Sequence, residues 1–165
     1  MQSIILTGSN LGNRTKQMGN VLEAISALAG SILKVSSLYE SEPWGFRYPV
    51  PFLNQALLME TSFTPTVLLK KLLQIEQQMG RTRNGKGYAA RTMDIDILFY
   101  GQEIIRNSRL TIPHPRLHLR RFVLVPATEI CPGWQHPVLK QTLQQLLDSC
   151  TDELEVMLFD KTKTS

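Results

Sequence analysis

Apolar residues recur along this chain with two different periods, and the changes between them mark out its elements. Residues 3–7, Ser-Ile-Ile-Leu-Thr, are a short apolar run that predicts a buried strand. After Arg14, Met18, Val21, Leu22, Ile25 and Leu28 recur at intervals of three and four, which predicts a helix with one apolar face. Residues 31–39 and 52–61 read as paired strands, and residues 43–51 between them are too rich in Pro, Gly and aromatics for either element, so a long loop is expected. Thr64 is placed as an N-cap with Pro65 at the first helical position; Leu68, Leu72, Ile75 and Met79 form the stripe, and Gly80 ends the helix. Residues 94–100, apolar apart from two acids, read as an interior strand with Asp94, Asp96 and Leu98 on one face and Ile95, Ile97 and Phe99 turned into a core.

Strand, helix, two strands, helix, strand is the order of a ferredoxin-like α/β sandwich, an α+β fold in which helices pack an antiparallel sheet. C-terminal additions follow: residues 119–129 are expected to be partly helical, 141–148 to form an amphipathic helix and 154–159 a strand or a variable appendage. Residues 1–160 are read as one domain and 161–165 as a frayed tail. At 165 residues and 42% hydrophobic content the chain is large enough to bury a substantial core.

The formal charge of +4 suits a polyanionic ligand, yet the excess is scattered and does not form a nucleic-acid arm, so no nucleic-acid partner is expected. The two cysteines, Cys131 and Cys150, have neither C-x-x-C spacing nor zinc-type histidine neighbours, which reads as reduced thiols in a cytoplasmic protein. No apolar run approaches the roughly 18 residues of a membrane span, and no targeting segment is recognised at the N-terminus. A monomer without a membrane partner is expected.

The candidate chemistry is concentrated in residues 81–100, RTRNGKGYAARTMDIDILFY. Asp94 and Asp96 lie about 6 to 7 Å apart along one strand face, a separation that lets them hold hard cations jointly, because magnesium usually takes only one or two protein oxygens and fills its shell with water and phosphate. A bare pair of acids is equally at home on the solvent face of an edge strand. Here Arg81, Arg83, Lys86 and Arg91 precede the pair and exceed what two carboxylates require, so a shared anionic ligand accounts better for the cluster.

The run Ala89-Ala90-Arg91-Thr92-Met93-Asp94-Ile95-Asp96-Ile97-Leu98 resembles the signature of the 6-hydroxymethyl-7,8-dihydropterin pyrophosphokinases, folate-pathway enzymes that move pyrophosphate from ATP onto a pterin alcohol. Other segments agree in order and spacing: Gly8-Ser9-Asn10-Leu11-Gly12, Ser41-Glu42-Pro43-Trp44-Gly45, Phe52-Leu53-Asn54, Glu76 with Gly80-Arg81-Thr82-Arg83, Arg109 through Pro115, and Arg120-Arg121-Phe122. The likeness spans about residues 4 to 130. The chain departs from the pattern at Gly87, where the family usually has a basic residue and this sequence has Lys86 one place earlier, and at Ser41, where threonine is frequent.

The resemblance implies two magnesium ions on Asp94 and Asp96, with ATP as co-substrate. It makes Arg81, Arg91 and Asp96 catalytic, the arginines flanking the transferred group and either Asp96 or a metal-bound oxygen orienting or deprotonating the hydroxyl. Arg83, Lys86, Ile97, Arg109, Thr111, His114 and Arg120 would bind ATP, and Ser41, Trp44, Phe52, Asn54 and Phe122 the pterin. Without the resemblance, His114 between two prolines would read as a structural hydrogen-bond partner and the two phenylalanines as core. Residues 43–51 and 82–90 are expected to close over the substrates. The alternatives are a two-metal nuclease, which also uses paired acids, and an RNA-binding ferredoxin-like module, although residues 52–57 carry only one of the aromatics such a module displays.

Overall fold

The computed structural model describes residues 1–80 and 92–163. Strand β1 (Gln2–Ser9) leads into helix α1 (Arg14–Leu28), then β2 (Ser31–Val35), β3 (Tyr39–Ser41) and β4 (Phe52–Glu60). Helix α2 (Pro65–Gln78) and strand β5 (Asp94–Tyr100) follow. The C-terminal part holds two-residue strands β6 (Ile105–Arg106) and β7 (Thr111–Ile112), helices α3 (Arg121–Ile130) and α4 (Leu143–Asp148), and strand β8 (Val156–Leu158). The main sheet is antiparallel in the order β5-β1-β4-β3-β8, with β2 also paired to β4. With β2 and β3 counted as one interrupted strand, this is the ferredoxin-like order expected from the sequence.

Each face of the sheet carries its own core. Ile5, Leu53, Leu57, Ile95 and Ile97 pack with Met18, Val21 and Ile25 of α1 and with Leu68, Leu72 and Ile75 of α2. On the opposite face Ile4, Leu6, Ala56 and Leu58 pack with Val123, Leu124 and Ala127 of α3 and with Leu143 and Leu146 of α4. The C-terminal additions thus cover the second face over Ile4, Leu6, Ala56 and Leu58, and toward the Gly8 and Asn54 end the sheet side chains turn from apolar to polar. Truncating a fully buried residue such as Leu72 to Ala should cost about 2–5 kcal/mol.

Several elements differ from the expectation. The strand expected over residues 31–39 breaks after Val35: the Ser36 N–H still donates to the Ala56 carbonyl at 2.9 Å, but the Ser36 hydroxyl accepts the Ala56 N–H at 2.9 Å and the Gln55 amide donates to the Ser36 carbonyl at 2.8 Å, so side chains take the remaining bonds. Strand β5 is not interior; among the described residues its ladder partner is β1. It is apolar because helices cover both of its faces, while its outer edge is met by the Glu76 carboxylate, which accepts the Ile95 N–H at 2.8 Å, and by His114, whose N–H donates to the Leu98 carbonyl at 3.0 Å. The simple alternation also fails within β5. Ile5 pairs with Ile97 and Ile4 with Phe99, so Leu98 is an extra residue, and Leu98 and Phe99 both enter the α3/α4 core.

Thr64 precedes α2 as expected but makes no side-chain capping bond. Thr142 caps α4 through a reciprocal pair with Gln145. Lys161–Lys163 form a single 3-10 turn, with Asp160 accepting the Thr162 N–H and hydroxyl.

Candidate active site

Asp94 and Asp96 lie ahead of the β5 bulge, so the alternation expected from the sequence holds for them: both side chains project to the α3/α4 side and are half-buried. Gly8 stands opposite Asp94 and Leu6 opposite Asp96 on β1, and on the next strand Asn54 pairs with Gly8. The absence of a side chain at Gly8 is what lets these groups meet, since a Cβ there would lie 3.1 Å from Asn54 Oδ1 and 3.7 Å from the Phe52 ring. Asn54 Nδ2 donates to the Ser41 hydroxyl at 2.9 Å, and both residues are buried. The amide orientation is therefore set by β3, and Oδ1 is left on the Gly8 side.

Around this floor is an aromatic cavity of about 580 Å³, its open mouth included. Phe52, Phe122, Trp44 and Phe46 line it together with Asn54, Ser41, Arg120 and the two acids. Phe46 meets Phe52 edge-on at 6.3 Å, and the Arg120 guanidinium lies 4.5 Å from the Trp44 ring centre and 5.8 Å from that of Phe122. Flat apolar walls with an amide at the edge are what a planar heteroaromatic ligand requires.

A second, more polar cavity lies on the other side of the acids. Asp94 and Asp96 line it too, joined by Glu76, Ile97, Arg109, Thr111 and His114. Asn107 Oδ1 accepts the N–H groups of Arg109 and Leu110, each at 2.9 Å, forming the tight turn from which the exposed Arg109 projects. Burial pulls the His114 pKa down to about 4, helped by the positive charge of Arg120 and opposed by Asp94. Its Nδ1 accepts the Arg116 N–H at 3.2 Å. At neutral pH the ring is therefore neutral and carries its proton on Nε2, where it can be donated to an anionic oxygen.

All five residues expected at a pterin, Ser41, Trp44, Phe52, Asn54 and Phe122, line the aromatic cavity. Of those expected at ATP, Ile97, Arg109, Thr111 and His114 line the polar cavity, whereas Arg120 lines the aromatic one, its charge acting on His114. Arg81, Arg83, Lys86 and Arg91, and the loop expected over residues 82–90, lie outside the described residues. The family likeness included Glu76 and Gly8 by position without giving either a role, and it did not include Phe46. A role for Glu76 was open to inference: it falls four residues after Leu72, on the apolar stripe of α2, and is 2% exposed. Phe46 carried no comparable signal.

The donor set fits magnesium. Two half-buried carboxylates project from one strand face, and among the described residues no group of three or more His, Cys, Asp or Glu side chains could hold an ion. The pair suits a hard cation that draws its remaining oxygens from phosphate and water.

The family model for 7,8-dihydro-6-hydroxymethylpterin-pyrophosphokinase (HPPK) matches residues 4–132. A 2-amino-4-hydroxy-6-hydroxymethyldihydropteridine pyrophosphokinase of Haemophilus influenzae is 39% identical over 148 residues, covering 87% of this chain and 92% of that protein. The Bacillus subtilis protein of the same name is 41% identical over 128 residues, covering 77% and 76%. Among solved structures, wild-type Plasmodium falciparum HPPK-DHPS superposes with a TM-score of 0.75 at 16% identity over 89% of this chain. The chain spans only 44% of that longer protein, and at this identity the likeness concerns the fold. A fold, a two-sided site and a sequence match over most of the chain thus converge: this chain belongs to the 7,8-dihydro-6-hydroxymethylpterin-pyrophosphokinase family.

Proposed function

We propose that the aromatic cavity holds 6-hydroxymethyl-7,8-dihydropterin, that the polar cavity holds the ATP phosphates, and that pyrophosphate passes between them across Asp94 and Asp96, giving AMP and the pterin diphosphate of folate biosynthesis. One observation carries this reading: the two acids are the shared wall of both cavities. A pterin ring between Phe52 and Phe122, with its pyrimidine edge on Asn54, would direct its hydroxymethyl group toward that wall.

Pyrophosphoryl transfer is mainly a matter of positioning and charge. Two magnesium ions held by Asp94 and Asp96 would neutralise phosphate oxygens and so reduce repulsion of the incoming hydroxyl. Asp96 would also orient or accept the proton of that hydroxyl. His114 would donate through Nε2 to a phosphate oxygen, with Thr111, Arg109, Arg120 and the Ile97 segment completing the ATP side. Arg81 and Arg91 would flank the transferred group, with Arg83 and Lys86 on the outer phosphates. Glu76 has a supporting part, because the N–H it takes belongs to Ile95, between the two acids. The same reading treats residues 1–160 as one domain acting as a cytoplasmic monomer; no helix among the described residues is long and apolar enough to cross a membrane.

The adenine product is the decisive measurement. With magnesium, ATP and the pterin alcohol, AMP is expected in step with pterin diphosphate. ADP would mean an ordinary kinase, and metal-dependent cleavage of nucleic acid without a pterin requirement would restore the nuclease alternative.

A further inference from the structure

Residues 42–51 connect β3 to β4 and carry Trp44 and Phe46 into the aromatic cavity, yet no regular element supports them. Both ends of this connection meet a single atom. Arg14 Nη1 donates to Glu40 Oε2 at 2.8 Å and to the Pro51 carbonyl at 2.8 Å. Glu40 immediately precedes Ser41, and Pro51 immediately precedes Phe52, so this nitrogen ties the side chain next to one cavity residue on β3 to the backbone next to another on β4. The Asn10 amide adds a bond to the Val50 carbonyl at 3.3 Å.

Arg14 is the first residue of α1, where the helix dipole disfavours a cation. The Glu40 carboxylate offsets that cost, and the two side chains are only 16% and 26% exposed. Over the guanidinium lies the Phe159 ring, its centre 5.7 Å away. Phe159 is itself held by its N–H on the Leu38 carbonyl at 2.8 Å, and β8 just before it pairs with β3, Val156 opposite Ser41. This C-terminal segment lies beyond residues 4–132 matched by the family model.

We propose that Arg14 is a positioning residue for the aromatic cavity: it staples the two ends of the loop bearing Trp44 and Phe46, and the C-terminal segment clamps the staple through Phe159. Arg14 does not line either cavity, so it acts on the pterin through Ser41, Phe52 and the loop. The proposal rests on the assignment of that cavity to the pterin.

The test is a set of initial rates of AMP release with each substrate varied in turn. Arg14→Met keeps the bulk of the side chain and removes the donors; it should raise KM for the pterin about ten-fold and leave KM for magnesium-ATP within about two-fold. Arg14→Lys should restore roughly half of that loss on a logarithmic scale, because both acceptors meet one nitrogen and a single ammonium can bridge them. Should Arg14→Met fail to fold, Glu40→Gln should show the same split at about three-fold, since it weakens one of the two bonds. Equal rises in both KM values, a fall in kcat alone, or an unchanged pterin KM would overturn the proposal. Phe52→Ala in the same assay separates the two ideas: if it leaves pterin KM unchanged the cavity assignment is wrong, and if it raises it while Arg14→Met does not, the staple alone is wrong.

Discussion

The two cavities that share Asp94 and Asp96 are built in opposite ways. The aromatic one is a product of the sheet: its floor is Gly8 and Asn54 on adjacent strands, its amide is oriented by Ser41, and its walls are rings projecting from β4, α3 and the connection between β3 and β4. Within the described residues the polar cavity owes more to turns, with Arg109 presented by an Asn107 turn and His114 held at the edge of β5. A planar neutral ring is recognised by shape, and shape needs a floor with little freedom. A polyphosphate is recognised by charge, which tolerates donors on longer, less constrained segments.

The largest effect is expected at the wall the two cavities share. Asp94→Asn or Asp96→Asn should lower turnover by about a hundred-fold or more, and neither should unfold the protein, since each removes one of two neighbouring like charges. Steady-state AMP release and a thermal melt check both halves, and near-normal magnesium-dependent activity in either variant would remove the acids from the mechanism.

Damage to one side should not cross to the other. Phe52→Ala or Phe122→Ala should weaken pterin binding by roughly 1–3 kcal/mol with nucleotide affinity little changed, as judged by titration calorimetry with an unreactive ATP analogue. Equal loss of both ligands would mean that these rings are core. A smaller effect of the same kind is expected from Gly8→Ala. Its Cβ would press on Asn54 Oδ1 at 3.1 Å, and the amide must move by a few tenths of an ångström to accommodate it, so pterin affinity should fall several-fold while the melting temperature changes little.

The polar side has a signature in pH. His114 has a folded pKa of about 4 against an ordinary value of 6.5, so between these values the unfolded chain binds more protons than the folded one. Stability should accordingly be complete above about pH 6.5 and decline as the pH falls toward about 4. His136 is also pulled down, by burial and then by the charge of His118, and contributes in the same direction. Denaturant titrations across this window should show a shallower decline for His114→Gln than for the parent, and an unchanged slope would mean that the ring is not held neutral.

Much of this was legible in the residues because it depends on local period and local chemistry. The 3.6-residue stripe of α1 and α2 and the alternation that places Asp94 with Asp96 follow from backbone geometry, which each short segment carries for itself. The aromatic residues became legible only through resemblance to a family, because a phenylalanine that stacks on a ligand and one that fills a core have the same local pattern. Other features depended on elements distant in the chain. Strand β5 looked interior because both its faces are buried; the strand pairing makes it an edge among the described residues, with α2 on one face, the α3/α4 core on the other and Glu76 and His114 on its outer edge. The bulge at Leu98 arises from its register with Ile4 and Ile5, more than ninety positions earlier. Likewise Arg14 reads in the sequence as an ordinary residue at the start of a helix, and it becomes the staple of the aromatic loop only when β3, the end of that loop and Phe159 are brought around it. The order of the six principal elements and the shared face of the paired acids could be read from the residues because they are properties of contiguous segments; which cavity each side chain lines could not, because that depends on contacts between segments no local pattern records.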